Sequence, residues 1–236
     1  MATMRNVVSN SSIQVERPGE FFKKLSPAAY KDLASLQYPL SYASNVILFS
    51  EKEETRGIFV VLEGEVKLSI NSSDGRRLSL SIARKGDILG LSSVLAGSPH
   101  EMTAETLYPS KIAPIGRRDF LNFVAQHPEV YQTLMEELSR QYSMACGQLR
   151  TVGLASTAPE KLARLLLDWS DGGQTTERGS RLRFSLTHEE IGEFIGASRE
   201  TVTRTLSVFK SRRLVMFNGS VLTIPNRVAL EDFAHC

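Results

Sequence analysis

The spacing of apolar positions changes character twice along the chain. Residues 1–20 are polar, end on Pro18-Gly19 and Glu20, and predict a flexible arm. Ser26-Pro27 ahead of AAYKDLASLQ predicts a short helix, with Ser26 as N-cap and Pro27 as its first residue. From about residue 40 to 116 the apolar positions come in short β-rich runs: NVILF, GIFVVLEGEVKLSI, RLSLSIA and KIAPI. Turn signals separate them at Glu63-Gly64, Asp74-Gly75, Lys85-Gly86-Asp87 and Gly97-Ser98-Pro99. Short strands at this spacing predict an antiparallel sandwich or roll, with SSDGRR as a hairpin.

After Arg117-Arg118 the period becomes helical. Tyr131, Met135, Leu138, Tyr142, Ala145, Leu149 and Val152 follow alternating steps of four and three. That 3.5-residue repeat is the seam of a coiled coil. Its expected partner is the same helix of a second chain; packing on the β-rich part of one chain is the other reading. GLASTAPEK then breaks the helix as a hinge, KLARLLLDWS predicts a short amphipathic helix, and DGGQTTERGSR a polar loop.

The segment 186–224 is the most informative. Thr187 and Glu190 form a capping box that opens a helix with Ile191, Phe194 and Ile195 on its apolar face. Gly196-Ala197-Ser198 is a tight turn, and Ser198 caps a second helix. There Val202, Leu206 and Phe209 form the inward stripe, which leaves Arg199, Glu200, Thr203 and Arg204 outside it. Asn218-Gly219 predicts a hairpin with a type I′ turn. Helix, turn, helix and hairpin make a winged helix-turn-helix, whose second helix enters the major groove of double-stranded DNA. Arg199 and Arg204 offer forks for guanine, and Glu200 an acceptor for cytosine N4. Thr187, Ser198, Thr201 and Lys210 are candidate backbone contacts, with Arg212 and Arg213 beyond them. The plain alternative is a solvated face on which Glu200 and Arg204 pair at i, i+4.

Composition narrows the chemistry. The 236 residues carry a net charge of +2, so any nucleic-acid footprint must be local. Two cysteines, Cys146 and Cys236, exclude a disulfide scaffold, a multi-cysteine zinc site and a four-cysteine iron–sulfur cluster. No apolar run is long enough to span a membrane and no signal-peptide core is present, so no membrane role and a cytoplasmic location are expected. P-loop, G-x-S-x-G, H-E-x-x-H and G-x-G-x-x-G patterns are lacking. No enzyme, catalytic residue or metal site is expected.

EEIGEFIGASRETVTRTLSVFKSRRLV closely resembles the helix-turn-helix of the cyclic-AMP receptor protein and fumarate–nitrate-reduction regulator (CRP/FNR) superfamily of transcription regulators. FVVLEGEVKLSI and GDILGLSSVLAG resemble its cyclic-nucleotide-binding β-roll, and the heptad helix its dimerisation helix. The implied fold is α+β: a jelly-roll sensor (21–127), a dimerisation helix (128–153), a hinge (154–160) and a winged helix-turn-helix (161–236). The resemblance implies a bacterial homodimer, RNA polymerase as a partner, and a TGTGA-like half-site, because Arg199, Glu200 and Arg204 occupy the R-E-x-x-x-R places.

At the sensor end the match fails. Cyclic-AMP binders of the family place a glutamate after GD-x-x-G and an Arg-Ser pair about ten residues later. Here Leu91 stands at the glutamate position, and Glu101, or His100 in a shorter register, at the arginine position. Cys146-Gly147 replaces the adenine-contacting Thr-Ser pair. An acid where phosphate should sit repels it, so cyclic AMP is not expected to bind. The candidate effector pocket is Gly90, Leu91, Ser92, Glu101, Met102, Thr103 and Cys146, with Val94 and Leu95 helping to fill it. An unknown small effector, or none, remains open. No cofactor is firmly implied; haem through His100 or Cys146 is the exception, set against His100 as a surface loop residue and Cys146 as a small seam residue. The competing function is a cyclic-nucleotide- or haem-binding effector protein that acts through protein contacts.

Overall fold

The computed structural model describes residues 19–170, 174–176, 179–184 and 186–234. The arm expected at the N-terminus lies, up to residue 18, outside the described residues, as does Cys236. Two short helices, α1 (Glu20–Lys23) and α2 (Pro27–Ser35), lead into β1 (Leu40–Tyr42), β2 (Ile47–Phe49), β3 (Gly57–Glu63), β4 (Val66–Asn71), β5 (Arg77–Ala83) and β6 (Ile88–Leu89). There follow α3 (Leu91–Ala96), β7 (Thr103–Thr106), β8 (Ser110–Gly116), α4 (Arg117–Gln126) and α5 (Val130–Gly153). The C-terminal part holds α6 (Ala158–Ser170), β9 (Gln174–Thr176), β10 (Gly179–Arg183), α7 (His188–Ile195), α8 (Arg199–Ser211), β11 (Met216–Asn218), β12 (Val221–Ile224) and α9 (Arg227–Ala234).

The strands before α4 form two antiparallel sheets, ordered β1-β8-β3-β6 and β2-β7-β4-β5. The long run GIFVVLEGEVKLSI therefore serves both: its two halves part at Gly64, whose φ of +92° is open to glycine at little cost. Phe49, Val66, Ala83 and Ala104 from one sheet meet Val61, Leu89 and Ile112 from the other, and fill the roll. On β3 the alternate positions Ile58 and Val60 face outward, where Phe21, Leu33, Phe120, Phe123, Val130 and Leu134 cover them with helix. The strands β1, β6 and β7 and the helix α3 carry no clear periodic signal. The three strands form on edges that longer strands offer, β1 on β8, β6 on β3 and β7 on β4.

Ser26 caps α2 as expected, its hydroxyl accepting from the Ala29 backbone N–H at 3.2 Å. The heptad helix is α5, but it starts at Val130 rather than 128. Val130, Leu134, Glu137, Gln148 and Thr151 are its buried side. The hinge is shorter than 154–160, since α6 begins at Ala158, with Thr157 accepting from the Glu160 N–H at 3.3 Å and Pro159 tolerated in the first turn. The stretch expected to be a polar loop contains β9 and β10, which extend the wing to a sheet ordered β11-β12-β10-β9. The pairing of β10 with β12 is remote in sequence, so polarity alone misreads it.

The wing hairpin forms, but not with a type I′ turn. Asn218 pairs with Val221, so the loop is Gly219-Ser220. Gly219 alone has positive φ there, +58°, at the first central position, as a type II′ turn requires.

Candidate functional site

Two regions gather the residues singled out by sequence. The first is the α7–α8 pair. The Glu190 N–H donates to Thr187 Oγ1 at 3.2 Å, and the Thr187 N–H donates to Glu190 Oε2 at 2.7 Å, which completes the capping box. The Thr187 hydroxyl also donates to Glu190 at 2.8 Å, so it is already engaged. Gly196 ends α7 in the left-handed region at φ +62°. Gly192 permits the tight crossing: a Cβ there would stand 2.4 Å from the Ala197 carbonyl oxygen. Ser198 then caps α8 by accepting from the Thr201 N–H at 3.3 Å, and the half-buried Thr201 keeps its hydroxyl 3.2 Å from that of Ser198.

Val202, Thr205, Leu206 and Phe209 are buried, and this rotation turns Arg199, Glu200, Thr203 and Arg204 outward. The plain surface pairing of Glu200 with Arg204 is not formed: among the described residues no ion pair engages either arginine of this face. The Glu200 carboxyl is held below the usual carboxylate range by its own backbone N–H and by the Ser198 hydroxyl. It is thus an ionised acceptor near neutral pH. Lys210 does not reach out freely; its Nζ sits 4.5 Å from the ring centroid of Phe217 on the wing. Arg212 lies similarly over Phe233, at 5.4 Å. Sequence reasoning missed His188, whose Nδ1 is 2.7 Å from Thr203 Oγ1 and ties α7 to α8.

The second region is a cavity of about 90 Å3 under α3, closed on one side by α5. Gly90, Leu91, Ser92, Glu101 and Met102 are among the residues that line it. Two residues assigned to it do not. The Thr103 hydroxyl is buried away from it, accepting from the Glu51 N–H at 3.0 Å, and Cys146 stands beside Tyr142 on α5. Val94 and Leu95 do not line it either; they pack in the helical layer, which Leu91 touches as well as the cavity.

His100 is not a surface loop residue. It is 4% exposed, its ring stacks on Phe49 with centroids 3.9 Å apart, and its Nδ1 is buried with no hydrogen-bond partner among the described residues. Burial pushes its pKa down, so it is neutral at pH 7. The strand pairing of β7 with β2 brings Phe49 under it, which no local signal announces. For Glu101, burial acts to raise the pKa, but hydrogen bonds from Ser93 and Ser92, at 2.7 and 2.9 Å, outweigh it and hold the carboxyl low.

An arginine does reach the cavity, from α5 rather than from the loop. Arg140 donates to Glu137 at 2.6 and 2.8 Å and to Asp87 at 3.2 Å. Gln141 donates to Glu137 at 2.8 Å and to the Ile88 carbonyl at 3.3 Å. Arg140 is thus held between two carboxyl groups, and burial pushes that of Asp87 up. Nothing local in the sequence marks Asp87, Glu137, Arg140 or Gln141, because they meet only where α5 packs along the roll. The space is well below the roughly 300–1,000 Å3 of a drug-sized ligand pocket. Among the described residues no group of three or more His, Cys, Asp or Glu is placed to hold a metal ion, and no helix is long and apolar enough to cross a membrane.

Both regions overlap segments that match known domain families. Residues 39–127 match the family described as cyclic nucleotide-binding domain, and residues 160–233 the Crp-like helix-turn-helix domain. The chain is 27% identical over 204 residues to the CRP-like cAMP-activated global transcriptional regulator of Mycobacterium tuberculosis, covering 86% of this chain and 91% of that protein. It is 27% identical over 210 residues to the transcriptional activatory protein AadR of Rhodopseudomonas palustris, covering 89% and 84%. In fold it matches FixK2 from Bradyrhizobium japonicum with a TM-score of 0.74 at 23% identity, over 84% of this chain and 96% of that one.

Proposed function

The chain belongs to the CRP/FNR superfamily of transcription regulators, and from that premise we propose that it acts in the cytoplasm as a homodimer reading a TGTGA-like palindrome. The observation that carries the reading is the outward face of Arg199, Glu200 and Arg204 at the start of α8, where neither arginine is in an ion pair among the described residues. A guanidinium matches guanine O6 and N7, and an ionised carboxylate accepts from cytosine N4. Two such helices about 34 Å apart would meet successive major grooves. The exposed heptad face of α5 supports the second chain, and RNA polymerase is the expected partner once DNA is bound. Gel shifts on a TGTGA-N6-TCACA duplex test the proposal. Retarded complex that scrambled duplex does not compete away is expected; equal binding to both duplexes, or none at low salt, would sink it.

The effector reading is negative for cyclic AMP. Leu91 is 1% exposed, within the helical layer. The ionised Glu101 opposes a phosphate, and Arg140 is held by two carboxylates. A cavity of about 90 Å3 is small against haem, and a His100 stacked on Phe49 argues against its use as a haem ligand. A small effector or none fits better, and an effector protein acting only through protein contacts has no observation in its favour. Calorimetry of purified protein with cyclic AMP is expected to show no heat of binding at micromolar concentrations. A micromolar dissociation constant would reverse this part of the reading.

A further inference from the structure

The outer face of the sheet β2-β7-β4-β5 carries Lys67, Ser69 and Ser79, which a solvated face would expose; all three are buried. The helix α7 lies across them. Lys67 Nζ donates to Glu193 Oε2 at 2.8 Å, and Ser79 Oγ donates to the same oxygen at 2.9 Å. Gln148, buried on α5, donates to the Ser79 carbonyl at 3.0 Å and to the Phe194 carbonyl at 2.6 Å. Ile82 of β5 shares a core cluster with Ile191, Phe194 and Ile195 of α7.

A β-bulge builds this face. Leu68 pairs with Ser81 and Ser69 with Ser79, which leaves Leu80 as the extra residue. The bulge resets the alternation, so Ser79 and Ile82 stand on the same side as Lys67 and Ser69. The other side of the same strands, through Leu68, Ser81 and Ala83, lines the cavity.

We infer that Lys67, Gln148 and Glu193 are positioning residues for DNA recognition, which hold α7, and through it α8, in a fixed orientation on the roll. The inference rests on the proposed reading of a palindrome by a dimer. Such a dimer needs its two reading helices at one separation. The connection 154–157 alone would let each head swing, and a pre-ordered head loses less conformational freedom when it binds. Docking leaves the DNA face free, since Arg199, Glu200 and Arg204 stay exposed. It also leaves the seam free, since Gln148 lies on the buried side of α5 and Met135, Tyr142 and Leu149 on the exposed side.

The test uses full-length Lys67→Met and Glu193→Gln proteins. Their affinities are measured on the N6 palindrome and on duplexes with one base pair inserted or removed between half-sites. Hydrogen exchange of the α7 and β5 amides, without DNA, is followed in parallel. Expected are about tenfold weaker binding at the N6 spacing, a smaller penalty for altered spacing than in wild type, and faster exchange in α7. Loss of affinity by the same factor at every spacing, with a lowered Tm, would assign these residues to stability alone and overturn the inference. So would unchanged affinity and spacing preference. If wild-type protein binds none of the duplexes, the palindrome reading fails by itself. The positioning inference is then judged on exchange, and unchanged α7 protection in Lys67→Met refutes it.

Discussion

Met135→Glu combined with Leu149→Glu is expected to turn the protein into a monomer at micromolar concentration and to weaken binding to the palindrome by about 10²–10⁴-fold. The two residues share one heptad position with Tyr142, and all three are exposed in the single chain, at 63%, 66% and 73%. A stripe of large apolar side chains left in water on one face of a helix buried on the other is the mark of a contact still to be made. In a parallel pair each glutamate would face its own copy, so like charges meet in a desolvated seam. The DNA effect follows from linkage: a monomer brings one reading helix, and the second half-site no longer binds intramolecularly. Analytical ultracentrifugation gives the mass, gel shifts the affinity, and circular dichroism the control. The fold should survive, because neither side chain enters a core. A variant that stays dimeric and binds as wild type would show that α5 pairs through another face, or not at all.

Arg199→Ala is expected to cost about 1–3 kcal/mol of specific binding and to relax selection at one base pair of each half-site. The side chain is exposed and makes no ion pair among the described residues, so its removal leaves folding stability nearly unchanged. Ser198 still caps the helix, and the Arg199 carbonyl still accepts from the Thr203 hydroxyl at 2.8 Å. Competition with duplexes substituted one base pair at a time separates the outcomes. Lost discrimination confined to one guanine position fits a bidentate base contact. A uniform loss on every sequence, with a shallower salt dependence, would make Arg199 a phosphate contact instead.

The two regions differ in how far they were legible. In the helix-turn-helix the signals are local. Thr187 and Glu190 are three apart, Ser198 sits one residue before its helix, and Val202, Leu206 and Phe209 repeat within two turns. Caps and stripes of this kind act over a single turn of backbone, so the outward placement of Arg199, Glu200 and Arg204 could be read directly. The wing hairpin was equally local, and only its turn type shifted, because the pairing register moved the loop one residue on, to Gly219-Ser220; the strands β9 and β10 that widen the wing were not local, since β10 pairs with the distant β12. The cavity has no such locality. Phe49 meets His100 only because β2 pairs with β7, and Arg140 meets Asp87 only because α5 lies along the roll. Leu91 and Glu101 can be read at the loop positions from sequence, but Arg140 and Phe49 come to the cavity from elements far along the chain.

Period, caps and turns along the sequence therefore determined the order of elements, the roll followed by a heptad helix and a winged helix-turn-helix, and the face that α8 turns outward. Each of these depends on side chains a few residues apart acting on one stretch of backbone. Tertiary structure alone decided that His100 is buried and neutral, that Arg140 is tied to two carboxylates, and that Lys67 and Glu193 clasp the roll to α7. These partners are up to 126 residues apart. Their meeting is set by sheet register, a single bulge and the packing of distant elements, and no window along the chain contains both sides of the contact.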